Sequence, residues 1–355
     1  EQPNIIFIMA DDLGYGDIGV YGQSILKTPN IDRLATGGMR FTQAYAGGSV
    51  CTPSRSVFMT GLHGGHTVAR DNVPHYDTYL EEEHVTLAQV LKSTGYATGG
   101  VGKWSLGDAG TVGRATNKGF DMWLGYLNQD HAHYYYPDYL DYNDTILGLP
   151  GNTLLRDHYS HDVLTNGALN FIRSSADQPF FLYVAYTVPH YAAPEEDEHG
   201  LTVPSTAAFD GNQWPTSAKK YATMLDKLDA DVGRITDLIQ ALDLAENTLI
   251  VFTSDNGGHS TTYKPFNTNG PLRGYKRDLT EGGIRVPFIA YWPGHIPDGV
   301  VNEEVIAFQD MLPTFAALAG AKAPENCDGI SVVNALLGNA QEEHHEQLYW
   351  EYGHC

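Results

Sequence analysis

Asn4-Ile5-Ile6-Phe7-Ile8-Met9 is an unbroken apolar run of strand length, and Asp11-Asp12-Leu13-Gly14-Tyr15-Gly16 follows it at once. A strand that is apolar at every position, not at alternate ones, is covered on both faces, so this segment reads as an inner strand ending in a loop. Four later runs repeat the pattern: Ala97 to Val101, Pro179 to Tyr186, Thr248 to Thr253 and Val286 to Trp292. Helical periodicity fills the intervals at Thr28 to Thr36, Ser54 to Thr60, Thr86 to Ser93, Tyr159 to Ser174, Ser217 to Leu242 and Gln309 to Leu318. The fold class is therefore α/β, with a large, mostly parallel or mixed β-sheet sandwiched by helices. Two stretches depart from the pattern. Residues 124–156 are rich in Tyr, His, Asn and Asp, and read as a long polar surface insertion within a domain spanning 1–345. Gln347 to Tyr352 reads as a strand, the start at 346–355 of a small C-terminal antiparallel sheet that is truncated or incomplete in this chain.

The 355 residues are 42% hydrophobic and 18% charged, which supports a packed core and excludes a disordered polymer. A net charge of −22 argues against a partner such as nucleic acid or an anionic lipid surface; an anionic substrate would need a local positive pocket. No apolar run approaches the roughly 20 residues of a membrane span, and no signal-peptide pattern precedes Asn4. The expectation is a soluble mature chain, periplasmic or secreted. Three cysteines are too few for a disulfide scaffold; at most Cys327 and Cys355 pair, and the redox compartment stays open.

In open α/β sheets the ligand crevice lies beyond the carboxyl ends of the strands, so the residues just after each apolar run carry the information. They are Asp11-Asp12, Gly102-Lys103-Trp104-Ser105, Val188-Pro189-His190 and Asp255-Asn256-Gly257-Gly258. Carboxylates and an amide supply hard oxygen ligands, and Lys and His supply donors to an anion, so one crevice would hold calcium or magnesium beside an anion site. Singly each group has a plainer reading, as a turn, a cap or a solvated side chain. Four of them at four strand ends make coincidence the weaker account. Two other motifs fail on inspection. Gly14-Tyr15-Gly16-Asp17-Ile18-Gly19 has dinucleotide-type glycine spacing, but Asp11, Asp12 and Asp17 would repel a pyrophosphate. Gly102-Lys103 lacks the first glycine of a phosphate loop, with Ala97 in its place and Trp104 where Ser or Thr belongs.

Cys51-Thr52-Pro53-Ser54-Arg55 opens a helix after a Gly-Gly-Ser loop, which sets Cys51 near a positive helix end. From the residues alone it is either a buried structural cysteine or, as a thiolate, the nucleophile of a thiol hydrolase. The segment Cys-x-Pro-x-Arg, followed by Ser56 and Thr60-Gly61, resembles the signature of the type I sulfatases of the alkaline-phosphatase superfamily, in which that cysteine is oxidised to formylglycine. Five more segments resemble the family in the family's order: Asp11 to Asp17, Gly102-Lys103-Trp104, Thr187 to His190, Ser254 to Gly258, and Leu272-Arg273-Gly274-Tyr275-Lys276 running on to Pro287.

The resemblance implies one Ca²⁺, with Mg²⁺ the poorer fit, bound by Asp11, Asp12, Asp255 and Asn256 with the modified Cys51 beside it. It implies a formylglycine-generating maturation enzyme as a partner, and an aldehyde hydrate whose first hydroxyl takes the sulfuryl group while deprotonation of the second expels sulfate. Arg55 and Lys103 would hold the hydrate, and Lys276 and His190 would grip the sulfate. Ser105 departs from the family pattern, in which a histidine serves as base; serine does not titrate near neutrality, so either another group accepts that proton or release of the ester is water-mediated, and another histidine or acid is the expectation. Substrate contacts are expected from His131, His133 and the Tyr134 to Tyr136 run, as sugar subsites or else as a packed loop, and from His66, Arg70, Arg114 and Arg273. A sulfated oligosaccharide or polysaccharide suits this set better than a small aryl sulfate. The rival readings are a phosphomonoester or phosphonate hydrolase of the same superfamily, and a non-catalytic Ca²⁺-dependent glycan-binding protein whose Cys51 stays a thiol.

Overall fold

The computed structural model describes residues 2–72, 79–198, 200–259 and 263–353. In chain order the strands are β1 (Asn4–Ala10), β2 (Met39–Tyr45), β3 (Ala97–Lys103), β4 (Met122–Tyr126), β5 (Tyr139–Tyr142), β6 (Thr145–Gly148), β7 (Phe180–Ala185), β8 (Thr248–Ser254), β9 (Arg285–Tyr291) and β10 (Val300–Ala307). The helices are α1 (Pro29–Thr36), α2 (Cys51–Thr60), α3 (Leu87–Lys92), α4 (Asn152–Leu155), α5 (Ser160–Ser174), α6 (Thr216–Ala241), α7 (Glu281–Ile284), α8 (Met311–Leu318) and α9 (Val333–Leu336). Among the described residues all ten strands form one sheet, ordered β10-β2-β9-β8-β1-β7-β3-β4-β5-β6. The centre is parallel, β8, β1, β7, β3 and β4 running the same way, while β9 and the β5–β6 hairpin supply the antiparallel pairs. This is the mixed, helix-covered sheet expected from the sequence.

The unbroken apolar runs have a direct physical outcome. Every residue of β1, β7 and β8 is buried, and alternate side chains feed two separate cores. Ile6 and Ile8 pack under α1, α5 and α6 with Leu182 and Ile250; Ile5 and Phe7 pack on the other face with Tyr183, Val251 and residues of α2, α3 and α8. From β1 the chain crosses one way to β2 and later the other way to β3, so β1 marks the point where strand order reverses, and a crevice opens at its carboxyl end.

Two expectations are corrected. Residues 124–156 are not an irregular insertion: they complete β4, add the β5–β6 edge hairpin and bury Tyr126, Tyr135, Tyr136 and Leu140. Their polar residues sit in the turns and on the solvated face of edge strands, which hid the pattern. Gln347 to Tyr352 forms no strand; it lies as an extended segment whose Trp350 Nε1 donates to Ala46 O at 2.7 Å and whose Glu351 pairs with Arg70. Cys327 is a free thiol against Gly61 O, and Cys355 lies outside the described residues.

Candidate active site

Four strand ends and one helix start converge. Asp11 and Asp12 follow β1, Lys103 is the last residue of β3, His190 comes five residues after β7, and Asp255 and Asn256 follow β8. Strand β2, which sequence periodicity did not reveal, ends on the same edge and delivers the loop that starts α2 at Cys51. Backbone bonds tie the loops together: Asp11 N donates to Val188 O and Asp255 N to Ala10 O. Gly102, in the left-handed region at φ +103°, lets β3 pass β7 closely enough to seat Lys103; a Cβ there would stand 1.8 Å from Ala185 O. Asp12 and Ser105 also adopt positive φ, at +66° and +61°, the kind of strained backbone that collects at functional sites.

The cluster is dry. Lys276 is 7% exposed, and Asp11, Asp12, Cys51, Arg55, Lys103, His190, Asp255 and Asn256 are 2% or less. Cys51 Sγ lies 3.1 Å from Asp11 Oδ1 and 3.4 Å from Lys276 Nζ. Lys103 Nζ bonds Asp11 Oδ2 at 2.8 Å, and Lys276 Nζ bonds Asp12 Oδ1 at 2.7 Å and reaches His190 Nε2 at 3.1 Å. Arg55 donates from Nη2 to Asp255 Oδ2 at 2.8 Å and from Nη1 to Lys103 O at 2.8 Å. Asp12 N donates to Asp255 Oδ1, and Asn256 Nδ2 to Asp12 Oδ1.

Electrostatics follow from this packing. Burial alone would raise Asp11 and Asp12; Lys103 and His190 around Asp11, and Lys276 and His190 around Asp12, outweigh it and hold both below the usual carboxylate range. Asp255 is pushed up to about 6 by burial and by Asp11, with Arg55 opposing. Burial and the Lys276 charge push His190 down to about 3, so its imidazole is neutral. Its Nδ1 lies 2.8 Å from Tyr191 O and can only donate there, which leaves the Nε2 lone pair facing Lys276. Burial, reinforced by Asp11 and Asp255, pushes the Cys51 thiol upward. In this cluster burial and the two carboxylates oppose a thiolate at Cys51 despite its place at the start of α2.

Asp11, Asp12, Cys51 and His190 each offer a ligand atom, all within 4.8 Å of one another. Asp255 and Asn256 join them through Asp12, and Asn256 Oδ1 is buried with no hydrogen-bond partner, a donor of the type a hard cation would satisfy. The residues present fit an oxygen-coordinated divalent ion.

The expected substrate contacts distribute unevenly. His133 reaches the cluster, its ring 4.7 Å from that of His190 and 5.2 Å from that of Tyr191. His131 is wedged between Tyr126 and Tyr139. Arg114 holds Asn143 O and Asp144, Arg70 holds Glu351 and Gly65 O, and His66 holds Asp328 at 2.9 Å. Arg273 is exposed, three residues before Lys276. Ser105 Oγ donates to Gln129 Oε1 at 3.1 Å. Sequence reasoning missed three supporting residues: Tyr191, which orients His190; Ser254, whose Oγ accepts from Leu13 N and donates to Asn256 O; and Tyr183, whose hydroxyl stands 3.5 Å from Arg55. The first two adjoin residues already singled out, which was the available signal.

With this geometry in view, comparison with known proteins is specific. A family model described as Sulfatase matches residues 3–321. Arylsulfatase A of Homo sapiens is 34% identical over 98% of this chain and 70% of its own length. N-acetylgalactosamine-6-sulfatase of Sus scrofa is 34% identical over 95% of this chain and 66% of its own. This chain thus spans about two thirds of the length of such relatives. A solved structure, the crystal structure of Ps i-CgsB in complex with k-i-k-neocarrahexaose, superposes with a TM-score of 0.84 at 33% identity, covering 95% of this chain and 77% of that one. Matched by the family model over most of its length and by relatives at a third identity across nearly all of it, the chain belongs to the sulfatase family.

Proposed function

We propose that this protein hydrolyses the sulfate ester of a sulfated carbohydrate, with its nucleophile derived from Cys51 and a Ca²⁺ ion held by Asp11, Asp12, Asp255 and Asn256. The observation that carries the reading is the position of Cys51 at the positive end of α2, within 3.4 Å of both Asp11 and Lys276 in a water-excluded cluster. When bound, the ion would supply Lewis acidity at a sulfate oxygen, and formylglycine at position 51 would supply a hydroxyl nucleophile in its hydrated form. All ten residues of α2 are buried, so a maturation enzyme must reach Cys51 before the chain folds.

The charge count explains why a cation matters. Asp11, Asp12 and Asp255 face Arg55, Lys103 and Lys276, three carboxylates against three cations, so the metal-free cluster has no surplus charge for an anion. A divalent ion adds two positive charges inside a chain whose net charge is −22 and makes this one place receptive to a sulfate. Lys103 and Lys276, held protonated by Asp11 and Asp12, would clamp the sulfate oxygens; Arg55 fixes Asp255 and the Lys103 backbone. With Ser105 engaged by Gln129, we assign proton movement to Lys276 and His190, the ammonium donating toward the departing alcohol and the neutral imidazole accepting.

The part-buried rings of His133 and Tyr191, 5.2 Å apart beside His190, offer a surface on which a pyranose can stack. Related proteins named for N-acetylgalactosamine 6-sulfate or holding neocarrahexaose favour the same substrate class. A periplasmic or secreted site of action fits that substrate class, and among the described residues no helix is long and apolar enough to cross a membrane. Sulfate and phosphate monoesters of one leaving group, assayed side by side, test the reading: faster turnover of the sulfate supports it, and preference for the phosphate transfers the protein to the rival hydrolase class.

A further inference from the structure

We propose that His63, His66 and Asp328 hold a divalent transition-metal ion of the zinc type, at a site separate from the cluster around Cys51. The three side chains each bring a ligand atom, and those atoms lie within 4.8 Å of one another. Two imidazoles and one carboxylate form a nitrogen-rich set that suits zinc and its neighbours and is poor for calcium or magnesium, whereas the oxygen donors of Asp11, Asp12, Asp255 and Asn256 have the opposite preference.

The site is built from both sides. Helix α2 ends at Gly61 in the left-handed region, φ +69°, and a Cβ there would strike Cys327 Sγ at 2.6 Å. Asp328 N donates to Gly61 O at 2.9 Å, so residues 327–328 are fastened to the turn that begins the His63 loop. His63 N in turn donates to Asp328 Oδ2 at 2.9 Å, which aims the carboxylate between the rings. His66 Nδ1 stands 2.9 Å from both Asp328 oxygens, and the His63 and His66 rings stack at 4.1 Å, 27° from parallel. His63 Nδ1 accepts from Gly65 N at 3.0 Å, a contact that a metal bound at this nitrogen would replace. One dication can serve both rings and the carboxylate.

A cavity of about 570 Å³ opens beside the triad, lined by His66 and Asp328 and also by Glu83, His84, Glu325 and Cys327. Three protein ligands and an open side facing ligand-type groups leave a fourth position for water or an additional side chain. The metal would clamp residues 63–66 to residues 327–328 at the end of α2 opposite Cys51.

The test is zinc binding by the intact protein after chelation, titrated calorimetrically in saturating Ca²⁺ so that the Cys51 cluster is filled. The account predicts one zinc per chain, a melting temperature that rises with zinc, and binding at least about tenfold weaker in His63→Gln/His66→Gln. Asp328→Asn provides the same loss by a separate route if the double variant fails to fold, and Asp12→Asn keeps the zinc site. No zinc uptake in saturating calcium, equal uptake by wild type and the triad variants, or loss of zinc in Asp12→Asn would each overturn it.

Discussion

The two ends of the central strands differ in kind. At the amino edge, between α5 and β3–β4, lies a cavity of about 670 Å³ lined by Tyr96, Met122, Leu124, Tyr142, Asn170 and Phe171, among others, with Asp121 as its charged wall. At the carboxyl edge three carboxylates, three cations, a neutral imidazole and Cys51 are packed into one buried cluster. Room alone does not make a reactive site. Burying six charges is costly unless each is paired, and a fold keeps such an arrangement where the charges act. The strand direction explains the asymmetry: parallel strands deliver their following loops to one edge only.

The comparison breaks most sharply at Cys51. Cys51→Ala removes the thiol from which the proposed nucleophile would be formed, and sulfate-ester turnover is expected to fall by at least about 10³-fold, read by steady-state kinetics. Lys103→Ala or Lys276→Ala deletes one donor from the same edge and should lower kcat by roughly 10²–10³. Chelation should remove turnover in wild type and added Ca²⁺ restore it; activity that survives chelation counts against a metal at Asp11, Asp12, Asp255 and Asn256.

A smaller effect tests how the charged edge is held. Asp17 Oδ2 accepts from Gly14 N at 2.8 Å and from the Tyr221 hydroxyl at 2.5 Å, bracing the loop that carries Asp11 and Asp12. Burial, only partly offset by the Tyr221 and Gly14 bonds, raises its pKa from 3.8 to about 8. The folded chain therefore keeps a proton that the unfolded chain releases across that window, and stability falls as pH rises through it, by at most about 1.4 kcal/mol per pH unit. Asp17→Asn should flatten the dependence of Tm on pH between about 5 and 8. An unchanged slope would show that Asp17 ionises freely in the fold. At the amino edge, Tyr142→Ala should leave kcat within about twofold, because nothing there touches the cluster.

How much of this was readable in the sequence follows from burial. Strands β1, β3, β7, β8 and β9 announce themselves because they are apolar or small throughout. Strand β2, Met39-Arg40-Phe41-Thr42-Gln43-Ala44-Tyr45, is only partly buried and slips register against β9 between Phe41 and Ala44, so neither a continuous nor an alternating pattern survives. Strand β10 carries Asn302-Glu303-Glu304 at a similar irregularity, and β5 and β6 are four residues each. The cluster was readable because its groups other than Lys276 adjoin a legible strand end or the Cys51 motif, and Lys276 came from the resemblance of its own segment. The contacts of His66, Arg70 and Arg114 were not, since their partners Asp328, Glu351 and Asn143 come from distant or unrecognised segments, and nearness to a motif along the chain says little about which way a side chain turns.

The most direct test is mass spectrometry of the peptide containing Cys51, from protein produced together with a formylglycine-generating enzyme and shown to turn over a sulfate ester. The account predicts the aldehyde at position 51 in the active material. A preparation that hydrolyses the ester at full rate while Cys51 remains an unmodified thiol would contradict it.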